Sequence, residues 1–316
     1  MHVDLASGNT SAARRQTFHD APLMELGARR VLRPGRLRWL RALAWAVLLF
    51  VVVVASAMTT TQVLISMLPP DAGASKLLAY LASVLVGLGA YTLAVRLGEA
   101  RQPTEIALRP MLPQLLAGVL IGAAMFAAVM AILAMSGLYD IRAQGAAPAW
   151  VAVGKALQAG VVEELMLRAI LLRLVWLAFG PWVAFAVSAA LFGFGHLGNP
   201  NATVFAAICI ALEAGIMLGA FYVLTGRIWM SIGVHAAWNF TQGYVFGAAV
   251  SGAELGPAIA HSTARAGTPE WLTGGAFGPE ASLPGLVVCL VVGIAVLWMA
   301  HRAGRFSVPR GELLRG

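Results

Sequence analysis

Three short stretches of this chain set ionisable side chains inside hydrophobic runs at spacings that suit chemistry. The first reads Gly160-Val-Val-Glu163-Glu164-Leu-Met-Leu-Arg168, the second Phe192-Gly-Phe-Gly-His196, and the third Ser231-Ile-Gly-Val-His235-Ala-Ala-Trp-Asn239. A charged side chain near the centre of a bilayer costs about 2.5–3.5 kcal/mol on insertion scales, so residues of this kind are candidates for function. On a helix Glu164 and Arg168 share a face one turn apart, and an ion pair between them lowers the cost of burying both. Glu163 is rotated about 100° from Glu164 and has no partner at that spacing, which leaves its carboxylate free for acid–base work. His235 and Asn239 also stand four apart and point the same way. An imidazole and a carboxamide side by side can donate two hydrogen bonds to one oxygen, as a tetrahedral oxyanion requires. Gly193 and Gly195 leave room beside His196 for a neighbouring helix or a substrate backbone.

Each stretch has a plainer reading. Glu163, Glu164 and Arg168 can form a structural network between helices, and His235 and Asn239 can make helix-to-helix hydrogen bonds worth about 1–2 kcal/mol. His196, beside Gly198-Asn199-Pro200, can bond to backbone alone. Glu213, mid-way along another apolar run, is expected to pair with Arg168 or to line a cavity. Lys155 is expected to snorkel to an interface. Trp176, Trp182 and Trp229 fall near proposed span ends, where interfacial belts predict them. Two histidines and a glutamate also suit zinc with an open fourth position, which would make Glu163, His196 and His235 the ligands. There is no His-Glu-x-x-His motif, and the asparagine is a poor zinc ligand, so metal-free catalysis is favoured.

The elements that must carry these residues are membrane helices. Of 316 residues, 59% are hydrophobic and 11% charged, and the mean hydropathy is +0.80. Soluble domains carry about 25% charged residues. A spanning helix needs about 20 apolar residues, and runs near 39–67, 76–95, 112–136, 149–176, 182–197, 203–225, 229–249 and 284–303 approach this, predicting an all-α, polytopic membrane bundle of about eight transmembrane helices. No alternation of period two supports a barrel. Residues 37–303 read as one membrane domain with its core at 149–245, between a flexible N-terminal segment, 1–36, and a tail, 304–316. Arginines gather at the N-terminus (from Arg14 and Arg15 to Arg38), in the second connection (Arg96, Arg101, Arg109) and in the tail (Arg302, Arg305, Arg310, Arg315). Only Lys76, Arg142 and Arg265 fall on the other side. The positive-inside rule then puts both termini in the cytoplasm and makes 251–284 the largest extracytoplasmic loop. The net charge of +8 lies between hydrophobic runs rather than on a basic surface, so nucleic acid is not an expected partner. Cys209 and Cys289 lie in apolar stretches and read as packing residues. Counting 1.5 Å per residue sets Glu163 and His196 about 20 Å deep but His235 only about 9 Å, a mismatch for residues meant to meet.

Glu-Glu-x-x-x-Arg, Phe-x-x-x-His and His-x-x-x-Asn, in this order on separate membrane helices, resemble the CAAX-protease and bacteriocin-processing family of intramembrane endopeptidases. The resemblance covers roughly residues 149–245. It implies that Glu163, helped by His196, activates a water that attacks a peptide carbonyl, while His235 and Asn239 hold the oxyanion and Glu164 and Arg168 support them. It also implies a membrane-associated or lipid-modified peptide or membrane protein as substrate. Residue chemistry alone does not choose peptide hydrolysis. A non-catalytic immunity or scaffold role in the same family, and a transporter or proton relay, remain the alternatives, although no repeat symmetry of the transporter kind is visible. The Ala-rich, Arg-over-Lys composition suits a bacterial plasma membrane.

Overall fold

The structure, a computed structural model, describes residues 23–145 and 148–306. Long apolar runs form helices α1 (Arg38–Ser66), α2 (Gly73–Glu99) and α3 (Met111–Met135). Helix α4 runs over 150–179 and α5 over Pro181–Gly195. They are followed by α6 (Val204–Thr225), α7 over 229–245, and α8 (Leu283–Arg302). Breaks follow local chemistry. Gly180 at φ +86° separates α4 from α5, where Pro181 takes the first helical turn. Gly226, left-handed, ends α6. Ser282 caps α8 by accepting from the Gly285 amide at 3.1 Å.

Among the described residues, six helices are long and apolar enough to cross a membrane: α1, α2, α3, α5 with its following turn, α6 and α8. The other two expected spans, α4 and α7, also form helices, but α4 carries Lys155, Glu163, Glu164, Arg168 and Arg173, and α7 is short. These two are the helices that hold most of the candidate residues. Helix α7 sits in the middle, with Ser231 to Trp238 buried.

Glycine lets its neighbours approach. A Cβ on Gly122 of α3 would collide with the Val234 backbone, one on Gly160 of α4 would press on Ala236, and one on Gly193 of α5 would strike the Ala207 carbonyl of α6. In lipid, where burying apolar groups drives association weakly, such close packing holds helices together. Helices α4, α6 and α7 each contain a π-helical stretch, at Leu165–Leu172, Ala211–Gly215 and Thr241–Val245. Each lies beside a candidate residue, a common place for π turns.

One end of the bundle gathers the described chain ends. Arg173 donates to the Leu26 carbonyl at 3.2 Å and makes a bidentate pair with Glu99, at 2.9 and 2.7 Å. Arg101 meets Glu99 at 2.6 Å and both oxygens of Glu105 at 2.8 Å, and the Tyr91 hydroxyl donates to Glu105. Burial alone would raise the Glu105 carboxyl, but the bond and charge of Arg101, with Arg173 behind, bring it below its ordinary value. Of the N-terminal segment, residues 1–22 lie outside the described residues. Residues 23–36 are docked rather than loose, with Leu26 and Leu32 buried. Arg14, Arg15, Arg310 and Arg315 lie outside the described residues too.

The opposite end carries two short strands absent from the all-helical expectation, β1 (Tyr139–Ala143) and β2 (Ala260–Ala264). They pair antiparallel with Tyr139 opposite Ala264, and the Tyr139 hydroxyl donates to the Thr273 carbonyl at 3.0 Å. The expected tryptophan belt is only partly present. Trp182 is exposed, but Trp176 and Trp229 are core residues, Trp176 stacked on Phe306 and Trp229 donating to the Ala107 carbonyl at 2.9 Å.

Candidate active site

His235 is the meeting point. Its Nδ1 lies 3.0 Å from Oε1 of Glu164, and its Nε2 lies 3.7 Å from Oε2 of Glu163. The same Glu164 oxygen accepts from Arg168 Nη1 at 2.9 Å, with both side chains fully buried. Arg168 also donates to the Ala214 carbonyl of α6 at 2.6 Å, and its guanidinium lies 5.0 Å from the Phe192 ring centroid. That ring meets both histidines edge-on, with centroids 4.9 Å from His196 and 6.1 Å from His235. A salt bridge, a backbone carbonyl and an aromatic ring thus lock α4, α5, α6 and α7 together around His235.

Partners assign the tautomers. A carboxylate only accepts, so the Nδ1 of His235 carries the hydrogen and donates it to Glu164, leaving Nε2 towards Glu163. His196 Nδ1 lies 2.7 Å from the Phe192 carbonyl, another acceptor, so its Nε2 is the basic nitrogen. Glu163 is different from its neighbour. Each has a buried Oε2 with no hydrogen-bond partner, but the Glu163 side chain as a whole is 31% exposed and that of Glu164 is fully buried.

Two cavities flank the site. One, of about 470 Å³, is bordered by Glu163, His196 and Asn239, by Asn199 and Ser251, and on the far wall by Phe50, Val54 and Met58 of α1. A smaller one, of about 40 Å³, is bordered by His196, His235, Asn239, Ser251, Glu213 and Glu280. His196, Asn239 and Ser251 belong to both. The structure therefore joins Glu163, Glu164, Arg168 and His235 directly. His196 and Asn239 share the cavities without a hydrogen bond to Glu163 or His235.

Several expectations need correction. Glu213 does not pair with Arg168 but takes the other expected place, lining the smaller cavity beside Cys289 of α8 and facing Glu280. Lys155 donates to the Leu255 carbonyl, in the connection after α7, at 3.2 Å. The depth mismatch disappears because α7 starts beneath the connection between α2 and α3: Ile228 is buried and its amide donates to the Glu105 carbonyl at 3.1 Å. With its start set deep in the bundle, α7 brings His235 level with Glu163 in less than two turns. For zinc, no group of three His, Cys, Asp or Glu side chains among the described residues is placed to hold a metal ion.

Sequence reasoning missed the bond between Glu164 and His235, because the two stand 71 residues apart and no spacing rule links them. It also missed Glu280, an acid in a Gly- and Pro-rich loop that reads as surface.

The bundle and its centre define a polytopic helical membrane protein with a buried acid–imidazole site. Residues 145–241 match the sequence model of the Rce1-like type II CAAX prenyl endopeptidases. The matched segment is less than a third of the chain, contains all six candidate residues, and is similar to the CAAX-protease and bacteriocin-processing family that the three motifs resemble. The match supports a CAAX-type intramembrane protease as the general kind of function. No curated protein and no solved structure matched the chain.

Proposed function

We propose that this protein is an intramembrane endopeptidase that hydrolyses a peptide bond of a membrane-associated or lipid-modified substrate with a water activated by Glu163 and His196. The observation that carries this reading is the Glu163 carboxylate, on a side chain that is 31% exposed and borders a cavity of about 470 Å³ together with His196 and Asn239. Glu164, by contrast, is engaged by both Arg168 and His235.

In the proposed reaction a water in this cavity gives a proton to the Glu163 carboxylate or to His196 Nε2, and its oxygen bonds to the peptide carbonyl carbon. The carbonyl oxygen becomes an oxyanion, which accepts hydrogen bonds from the Asn239 amide and His235. For Nε2 of His235 to donate, the ring must carry both protons, and the carboxylates of Glu163 and Glu164 flank it to balance that charge. Collapse of the intermediate breaks the carbon–nitrogen bond. The proton taken from water passes to the departing amine, and the products are an amine and a carboxylic acid, which releases its remaining proton to solvent. Arg168 and Glu164 hold His235 in place and touch no reacting atom.

The test is cleavage of fluorogenic peptides, apolar and lipid-modified, by protein purified in detergent. Glu163→Gln and His196→Ala are expected to lose about 10²–10⁴-fold in rate, the usual contribution of a positioned acid–base group. Cleavage by Glu163→Gln at the wild-type rate removes the mechanism.

A further inference from the structure

The connection between α7 and α8 lies outside the segment that matches the family and brings another carboxylate to the site. Glu280 stands in a turn, Pro279–Ala281, just before α8 and is 3% exposed. Its Oε1 accepts from the Ser251 amide at 2.6 Å and from the Ser251 hydroxyl at 2.9 Å. Gln242 of α7 lies beside this carboxylate and donates to the Ala249 carbonyl at 2.5 Å.

The surrounding backbone is fixed. The Gly252 amide donates to the Phe277 carbonyl at 2.7 Å. Gly252, at φ +82°, lies so close to the Pro200 carbonyl that a Cβ there would collide with it. Three loops are thereby stacked: the one that follows His196, the turn at Ser251 and the turn at Glu280. An acid buried this completely, with two donors from Ser251 aimed at it, is built in rather than left over.

Its position relative to His196 suggests why. Glu163 borders the larger cavity and not the smaller, and Glu280 borders the smaller and not the larger. His196 borders both, so an acid lies on either side of it. We propose that Glu280 is a positioning residue for His196, an ionised carboxylate that steadies the imidazolium formed when His196 takes the proton of the attacking water. This rests on the hydrolytic reading given above. Glu280 does not touch the substrate; it acts through the imidazole.

The groups that face Glu280 are His196 from the turn after α5, Glu213 from α6, His235 and Gln242 from α7, and Cys289 from α8. Glu213 has one buried oxygen without a partner, so it adds negative charge or a shared proton to the same space. Burial pushes the Glu280 carboxyl above its ordinary value, and the Ser251 donors and the charge of His196 recover only part of that shift. Glu280 is therefore ionised only above a raised midpoint, and its help to His196 is lost as pH falls through it.

The experiment compares wild type, Glu280→Gln, Glu280→Asp and Glu163→Gln on a peptide that the wild type cleaves, with kcat and KM measured from about pH 5 to 9, the range in which an imidazole titrates. Glu280→Gln is expected to lower kcat by about 10–100-fold at neutral pH with KM unchanged, a share of the acid–base contribution. The ratio of wild-type to variant rate should shrink towards one as pH falls, and Glu280→Asp should recover part of the loss. Thermal unfolding of each variant separates this from misfolding. A wild-type kcat in folded Glu280→Gln, or a loss that is the same at every pH, overturns the inference. If Glu163→Gln is inactive while Glu280→Gln is fully active, only this inference fails. If Glu163→Gln cleaves normally, or no peptide is cleaved by the wild type, the hydrolytic reading fails and takes this one with it.

Discussion

Glu163 and Glu164 are adjacent and chemically identical, yet the fold gives them opposite environments. Glu164 is fully buried and serves two cations or donors at once, whereas Glu163 is 31% exposed at a cavity wall. Removing one member of a buried ion pair strands the other, at a cost of about 3–5 kcal/mol. Glu164→Gln should therefore lower the thermal unfolding temperature in detergent strongly, and Arg168→Met added to it should recover part of that loss by removing the stranded guanidinium. Peptide cleavage should stay low in both, since His235 loses its orienting acid; normal cleavage by the double variant would separate Glu164 from catalysis. The pair with Arg168 is legible in the sequence because four residues make about one helical turn. The bond to His235 is not, because it depends on how two distant helices pack. A second test concerns Glu105 at the other end. Its lowered carboxyl contributes stability that is present above its ordinary pKa and is lost as pH falls through the lower folded value. Glu105→Gln should accordingly be less stable than wild type at neutral pH, with the gap closing below about pH 4.5, the ordinary range of a carboxyl; a gap independent of pH would assign the loss to packing.

Helices carry these side chains to one point, and glycine sets how closely they approach. A Cβ on Gly122 would enter the Val234 backbone, next to His235. Gly122→Leu is expected to push α3 from α7, destabilise the protein by about 1–3 kcal/mol as overpacking does, and reduce cleavage by moving His235. Gly89→Ala, where nothing lies within 4 Å, is the control and should be neutral or slightly stabilising because alanine is the better helix former. Equal stability and activity in both variants would refute the role given to that close contact. The eight long helices among the described residues all follow hydrophobic runs, but length and composition mark only six of them as spans. The π turns leave no mark in the sequence, because one extra residue in a turn hardly disturbs an apolar run. Trp176 and Trp229 misled for a related reason: residues near a span end are interfacial only if no other segment covers them, and Phe306 and the Glu105–Ala107 connection do.

At the scale of the whole molecule, charge and cavity point in opposite directions. Arg29, Arg30, Arg33, Arg36, Arg96 and Arg109 gather at the end that holds the described chain ends, whereas the strand-bearing end has Lys76, Arg142 and Arg265. The larger cavity is bordered by Asn199, Val250, Ser251 and Leu255, which belong to the strand-bearing end. The positive-inside rule then predicts that this end, and access to Glu163 from it, lies outside the cytoplasm. Cys209 and Cys289 are both buried, so an added thiol can be labelled with little background. In intact cells a membrane-impermeant maleimide should react with Ala266→Cys, in the exposed turn after β2, and not with Leu108→Cys at the arginine-rich end. After the cells are opened both should react. That pattern would confine the substrate to segments exposed on, or carried across, the outer side of the membrane. The reverse pattern would turn the molecule over and bring the cavity within reach of a lipid-modified tail in the cytoplasm.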